Sequence, residues 1–426
     1  MPSFKTLNDL DDGQRVLVRL DLNSPVEGGE VQDNRRFSRH AETVHELLER
    51  GFAVALMAHQ GRPGRDTFVS LEQHADILAD HLDREVATEG SDLGTSERAE
   101  PAGYSVEFVP DTFGDEALAA IDDLDGGEAL LLENARMCDE ELPEEEPELK
   151  AETEFVRTLA PEFDAYVNDA YSAAHRSHAS LVGFPLVMDA YAGRVMETEY
   201  AANTAIAERE FEGPVTMVVG GTKATDVIDV MEALGDRVND YLLGGIAGEL
   251  FLRVDGFPVG RDVDDTDLFD DQWEQNRATI ESIFEDRRDR IRLALDLAFE
   301  DEDGERAEIE VEDIAEKDRQ YLDVGGNTVD EYASVIQSSE AVFVKGALGT
   351  FEDERFAAGT VGVLEAIAET DCFSVVGGGD TSRAIEMYGM SEDDFGHVSI
   401  AGGAYIRALT GAELVAVEVL KRAANA

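Results

Sequence analysis

Ten short apolar runs, each closed by glycine, asparagine or a charged residue, constrain the fold of this chain more than any other feature. VLVRLDL, FAVALMAH, YSVEFVP, ALLLENARM and AYVNDAY fall in the first half; VTMVVGG, DYLLGGI, AVFVKGAL, FSVVGGGD and HVSIAGG fall in the second. Runs this short and this rich in β-branched residues read as buried strands. Helical patterns lie between them, as at 39–50, 71–81, 151–159 and 360–369. Strand and helix in alternation predict an α/β protein with parallel sheets wound by helices on both faces. A chain of 426 residues exceeds one ordinary core, so two domains are expected. The boundary is placed near residues 190–200, where AYAGRVMETEYAANTAIAERE reads as one long joining helix. No tandem repeat is evident. The charge-laden stretch 255–318 reads as a solvated surface helix and insertion, and DEELPEEEPEL as a loop broken by Pro143 and Pro147.

A formal net charge of -59 would suggest disorder in an apolar-poor chain, but 43% of the residues are hydrophobic, enough for a core. The charge therefore belongs to the surface. Of 35 basic residues only six are lysine: Lys5, Lys150, Lys223, Lys317, Lys345 and Lys421. An acidic surface nearly stripped of lysine resembles that of proteins from a salt-filled cytosol, where screening within roughly 3 Å at 1 M salt relieves self-repulsion. Such a field repels nucleic acid and anionic membranes, so neither is expected as a partner. It repels phosphorylated metabolites too, and any phosphate site must gather local cations. Two cysteines, Cys138 and Cys372, make no disulfide framework. Neither a signal-type N-terminus nor a run near the roughly 20 residues of a membrane helix is found, so a cytoplasmic protein is expected.

Ligands in wound parallel sheets bind at the carboxyl ends of the strands, where the basic residues and glycines of this chain fall. In the first half RLDLNSP supplies Asp21 and Asn23, NRRF Arg35 and Arg36, AHQGRPG His59 and Arg62, LLENARM Arg136, and YSAAHRSH His175, Arg176 and His178. One arginine after a strand is usually solvated, but five on one predicted edge of so acidic a chain suit a phosphorylated acid, whose oxygens guanidinium forks match. The second half carries VVGGTK with Gly220, Gly221 and Lys223, LLGGIAG with Gly244, VKGALGTFE with Lys345 and Glu352, and VVGGGDTS with Gly378, Gly379, Asp380 and Thr381. Glycine permits close backbone approach, and helix N-termini offer N–H donors to phosphate. No GxxxxGK[ST], no GxGxxG and no protein-kinase motif set occurs. The missing GxGxxG, with its ribose-binding acid, counts against an NAD-linked dehydrogenase; the joint retention of the arginines, Lys223 and GGGDT counts against a non-catalytic scaffold.

RLDLNSP, NRRF, AHQGRPG, LLENARM, DAYSAAHRSHAS, VVGGTKATD, GALGTFE, VVGGGDTS and HVSIAGGA stand in the order and near the spacing of the motifs of phosphoglycerate kinases, over about residues 16–411. The resemblance implies two Rossmann-like domains facing across a hinged cleft: 1–192 for 3-phosphoglycerate or 1,3-bisphosphoglycerate, 193–208 as joining helix, 209–408 for MgADP or MgATP, and 409–426 as a helix returning to the first domain. It implies reversible phosphoryl transfer in glycolysis and gluconeogenesis, with Mg²⁺ as cofactor. By resemblance Asp21, Asn23, Arg36, His59, Arg62, Arg136 and Arg176 hold the acid. Gly220, Gly221, Gly244, Glu352, Gly378, Gly379, Asp380 and Thr381 hold the nucleotide, with Asp380 on the metal. Arg36, Lys223, Gly402 and Gly403 attend the migrating phosphoryl group. A monomer is expected. The acceptor carboxylate is already ionised at neutral pH, so no general base is required, only alignment and positive charge. Three departures stand out: Val227 where many members carry a second lysine, KGALGTFE where NGPxGVFE is usual, and IAGGA in place of TGGGA. Lys345 or another cation is expected to take over part of the missing charge.

Overall fold

The computed structural model describes residues 3–89, 103–261, 267–317 and 319–426. The chain divides into two compact units, Met1–Ala201 with Glu413–Ala426, and Ala202–Ala412.

In the first unit six strands lie in the order Val106–Val109, Ala129–Leu132, Ala53–Met57, Arg15–Arg19, Ala165–Asn168, Ala190–Ala192, all parallel. The central strand, RVLVR, sets Arg15 opposite Ala53 and Val16 opposite Ala165. Val16 to Arg19 are all buried, as expected where helices cover both sides of a parallel sheet. Helix Arg35–Glu49 starts where Asn34 accepts the Arg36 N–H at 2.9 Å, and it buries Phe37, Ala41, Val44, Leu47 and Leu48 at helical spacing. Each large apolar side chain so buried contributes about 1.5–3 kcal/mol. The chain lays three strands on one side of Arg15–Arg19, then crosses to its other side with Ala165–Asn168. The crevice at that reversal is where such sheets take ligands.

The second unit repeats the plan in the order Ile291–Arg292, Asp240–Leu243, Val215–Val219, Ala341–Lys345, Phe373–Gly377, His397–Val398, again all parallel. This is the doubly wound dinucleotide-fold order, and it reverses between Val215–Val219 and Ala341–Lys345. A small antiparallel sheet of Arg306–Glu310, Asp296–Glu300 and Asp323–Val324 accompanies it.

All ten apolar runs form strands, but three sequence readings need correction. Residues 255–318 are more than a solvated insertion. Ile291–Arg292 completes the parallel sheet, helix Leu268–Arg287 buries Phe269, Ile280 and Ile283, and Leu297, Ala298, Val311 and Ile314 enter the core. The stretch 190–210 is not one helix. Ala190–Ala192 is an edge strand, and helix Arg194–Glu208 begins after Gly193, where the Asp169 carboxylate accepts the N–H groups of Val195 at 2.8 Å and Met196 at 3.2 Å. A Cβ on Gly193 would sit 2.2 Å from that carboxylate. Pro147 opens the short helix Pro147–Lys150 instead of breaking a loop, since a first-turn proline loses only an N–H that has no helical partner.

The division between the compact units falls within helix Arg194–Glu208. Helix Val415–Ala424 belongs to the first unit: it buries Ala416, Val417, Val419 and Leu420, and the Ala416 N–H donates to Ala174 O at 2.9 Å. Among the described residues no helix is long and apolar enough to cross a membrane.

Candidate active site

At the first unit's reversal point a carboxylate and a guanidinium face each other. Asp21 follows strand Arg15–Arg19, and Arg36 stands in the first turn of helix Arg35–Glu49. Arg36 Nη1 and the Ser172 hydroxyl both donate to Asp21 Oδ2, and Arg36 Nη1 also reaches Ser172 Oγ at 2.9 Å. Burial works against ionised Asp21, but Arg36, His59, Ser172 and Arg19 outweigh it and hold its pKa far below the usual carboxylate range. Below this cluster the Asp21 N–H donates to His40 Nε2 at 3.2 Å, and His40 Nδ1 lies 2.8 Å from Asp169, the carboxylate that caps helix Arg194–Glu208. Asn23 accepts the Gly61 N–H at 2.8 Å, which ties the loops after the first two strands together.

Of the remaining first-unit candidates, Arg62 is exposed, Arg136 Nη1 donates to Gly61 O, and Arg176 lies 3.6 Å from Glu144. Burial and the neighbouring Arg19 lower the Arg136 pKa to about 10, still fully charged at neutral pH. The histidines are not the cations the sequence suggests. His59 is buried, and its Nδ1 accepts from Arg19 Nη2 at 2.9 Å, so burial first and the surrounding arginines next push its pKa well below 6.5. It remains a neutral ring whose Nε2–H can donate. His178 is likewise buried, beside Glu141, and burial lowers it to about 3. Neither His59 nor His178 therefore adds charge beside the arginines.

Beneath the edge lies a network that motif reading missed. Fully buried Arg19 donates to Ser180 Oγ at 2.7 Å and to Leu20 O, with Glu141 4.0 Å away. Glu141 accepts from both the Ser180 hydroxyl and the Ser180 N–H at 2.7 Å. Glu141 sits within the acidic run read as loop. Only its single-residue burial distinguishes it, and that leaves no mark in composition.

In the second unit the glycine loops meet across the reversal. The Gly220 N–H donates to Lys345 O at 3.0 Å, the Gly221 N–H to Ala347 O at 2.8 Å, and the Gly244 N–H to Val219 O at 3.1 Å. These three N–H groups are spent on the sheet edge, so their glycines serve close packing and not donation to a ligand. A Cβ on Gly220 would lie 2.1 Å from Ala347 O. Gly221, Gly244, Glu352 and Asp380 line one cavity of about 390 Å³. Gly378, at φ 108°, caps helix Gly379–Met387, whose first-turn N–H groups lack helical acceptors. The Thr381 hydroxyl is turned inward, donating to Gly377 O at 3.2 Å, which fixes the loop and removes it as a donor to a ligand. Gly402, at φ 55°, and Gly403 are exposed at the start of helix Gly403–Leu409. Exposed Lys223 precedes helix Ala224–Leu234 and makes no salt bridge among the described residues. No cluster of three or more His, Cys, Asp or Glu able to cage a metal ion occurs among the described residues. The one exposed carboxylate of Asp380 suits an ion such as Mg²⁺, which takes one or two carboxylates and draws its other ligands from phosphate and water.

A family model described as Phosphoglycerate kinase matches residues 7–412. The chain belongs to the phosphoglycerate kinase family. It is 72% identical over 420 residues to the phosphoglycerate kinase of Haloarcula marismortui, covering 99% of this chain and 100% of that one. Identity to the Halorubrum lacusprofundi phosphoglycerate kinase is 71% over 425 residues, with 100% of both chains covered. Among solved structures, the phosphoglycerate kinase of Pyrococcus horikoshii OT3 superposes with a TM-score of 0.86 at 30% identity, over 99% of each chain. Against the usual phosphoglycerate kinase pattern, Val227 is buried in the core face of its helix. The second lysine of many members is thus replaced here by a packed apolar side chain. Lys345 Nζ lies 3.0 Å from Asp226 Oδ2, so part of its charge is already met by its own unit.

Proposed function

We propose that this chain transfers a phosphoryl group reversibly between 1,3-bisphosphoglycerate and ADP, giving 3-phosphoglycerate and ATP, as a cytoplasmic, monomeric enzyme of glycolysis and gluconeogenesis adapted to high salt. The observation that carries the reading is the split of chemistry between two parallel sheets: guanidinium groups gather at one reversal point, glycine loops and a cavity at the other. In this reading residues 1–192 form the acid-binding domain and 209–408 the nucleotide-binding domain, with 193–208 joining them and 409–426 packed on the first. Arg36, Arg62, Arg136 and Arg176 take the phosphate and carboxylate oxygens of the acid, while Asp21 holds Arg36 in place and neutral His59 donates from Nε2. Asn23 positions the loop through Gly61.

Glu352 binds the ribose, and the N–H groups at Gly378, Gly379, Asp380 and Thr381 receive phosphate oxygens. Gly220, Gly221 and Gly244 shape the wall. Mg²⁺, held by Asp380 and the nucleotide's own oxygens, neutralises phosphate charge when bound. The acceptor is a carboxylate, so the chain has no proton to remove. Lys223, Arg36 and the backbone at Gly402 and Gly403 stabilise the equatorial oxygens in the transition state. The acidic surface and the Haloarcula and Halorubrum relatives support salt adaptation. A coupled assay of ADP formation from 3-phosphoglycerate and MgATP in molar KCl tests the reading: turnover dependent on both substrates is expected, and none would end it.

A further inference from the structure

The cavity of the second unit is lined by residues of two kinds: Gly221, Thr222 and Asp380 of the glycine loops, and the apolar Leu252, Leu268, Ala294, Leu297 and Tyr321. A phosphate chain needs donors and a nucleobase needs a flat apolar slot, so the base belongs against the apolar lining. One acid interrupts that lining. Glu249 stands on helix Gly245–Val254, one turn beyond its glycine start and three residues before Leu252, on the same face. It is buried, and its Oε2 accepts the Gly260 N–H at 3.1 Å. Among the described residues no other hydrogen bond or ion pair engages it, which leaves Oε1 to the cavity that Glu249 lines. A carboxyl group placed this way in an apolar wall costs stability unless something meets it, and packing gives no reason for it.

We propose that Glu249 is a specificity-determining residue that reads the nucleobase, its Oε1 hydroxyl donating to N1 of a 6-aminopurine and thereby preferring adenine to guanine nucleotides. The inference rests on the nucleotide reading of this cavity. The glycosidic bond sits on the five-membered ring, so the six-membered edge of a purine points away from the ribose and deepest into the slot. Oε2, accepting from Gly260, takes the carbonyl role, and the proton then resides on Oε1. Burial raises the Glu249 pKa to about 8, against the weaker opposing pull of the Gly260 N–H and Lys317, so the neutral form prevails at pH 7. Adenine N1 is an acceptor and meets that proton; guanine N1 carries a hydrogen and would oppose it. Ionised Glu249 reverses the preference, since it accepts from guanine N1–H and the 2-amino group. The charged groups near it are Lys317, with Asp270 paired to both Lys317 and Arg253; Tyr321, Asp323, Glu352 and Asp380 complete the ionisable lining.

The test measures kcat/KM for MgATP and MgGTP with saturating 3-phosphoglycerate in molar KCl, from about pH 6.5 to about pH 8.8, in wild type, Glu249→Gln and Glu249→Leu. The wild-type ATP/GTP ratio is expected to be about 10 or more at the acid end, one hydrogen bond's worth of discrimination, and to fall at least threefold as the carboxyl ionises. Glu249→Gln, whose amide keeps a donor and an acceptor but cannot ionise, should hold a ratio that does not vary with pH. Glu249→Leu should bring the ratio near one at every pH. A ratio unchanged in Glu249→Leu, or a pH course in Glu249→Gln that matches wild type, overturns the proposal. Wild-type turnover of MgATP reports separately on the underlying function. If the leucine variant does not fold, as circular dichroism would reveal, the glutamine variant's pH course decides alone.

Discussion

Replacing Arg36 by methionine keeps the length of the side chain and removes its charge from Asp21. The Asp21 side chain is 5% exposed and that of Arg36 22%. A pair about 4 Å apart at an effective dielectric of 20 interacts by about 4 kcal/mol, an upper figure. Arg19 and Ser172 remain beside Asp21, and solvent reaches Arg36, so the expected loss of stability at pH 7 is about 1–3 kcal/mol. In a unit of this size that lowers Tm by about 2–4 °C per kcal/mol. The pH course follows from sign. Asp21 has a depressed pKa in the folded state, so its stabilisation is fully present above the unfolded-chain value near 3.9 and is lost as pH falls toward the folded one. In Arg36→Met the depression is smaller, so the two stability curves run parallel down to the variant's own folded-state pKa and converge only below it. Activity should fall further than stability, about 10²–10³-fold in kcat/KM for 3-phosphoglycerate, because a charge aimed at the transition state is gone. The assays are thermal melts at pH 7 and steady-state kinetics in molar KCl. A kcat/KM within threefold of wild type, or a Tm at pH 7 equal to that of wild type, would refute the reasoning.

Gly220→Ala places a Cβ 2.1 Å from Ala347 O, a backbone atom that cannot step aside. It should cost about 1–3 kcal/mol in denaturant melts, and an unchanged midpoint would contradict the packing role. Lys345→Met removes the partner of Asp226 beside the glycine loops. A fall in kcat of about tenfold is expected if the lysine contributes charge to transfer, and unchanged kcat at fixed salt would assign it to Asp226 alone. Lowering KCl from multimolar to millimolar should lower Tm, because an unscreened charge of -59 opposes compaction; a constant Tm would contradict salt adaptation.

Buried parallel strands were legible because they need continuous apolar runs, and each of the ten runs formed one. Ala190–Ala192 and Ile291–Arg292 were not, since three-residue and two-residue edge strands carry too little pattern to separate from their neighbours. The acidic stretch 255–318 concealed Ile280, Leu297 and Val311 for a similar reason, its charges outnumbering the apolar residues that pack. Motif order placed the basic residues at strand ends, but it could not tell charge from neutrality. His59 and His178 look like cations in the chain and lose that role only through burial next to arginine. The Arg19–Glu141–Ser180 network joins residues up to 161 positions apart, a distance at which no local pattern operates. Glu249 escaped for the opposite reason, since one acid among 94 acidic residues attracts no notice until its surroundings prove apolar.

The proposed division of labour between the two units is tested most directly by hydrogen–deuterium exchange with each substrate added alone. In molar KCl, 3-phosphoglycerate should slow exchange at residues 21–24, 59–62 and 172–176. MgADP alone should slow it at 220–223, 244–252 and 378–381. Protection by either ligand confined to the other's set, or no protection at the reversal point of one sheet, would contradict the assignment.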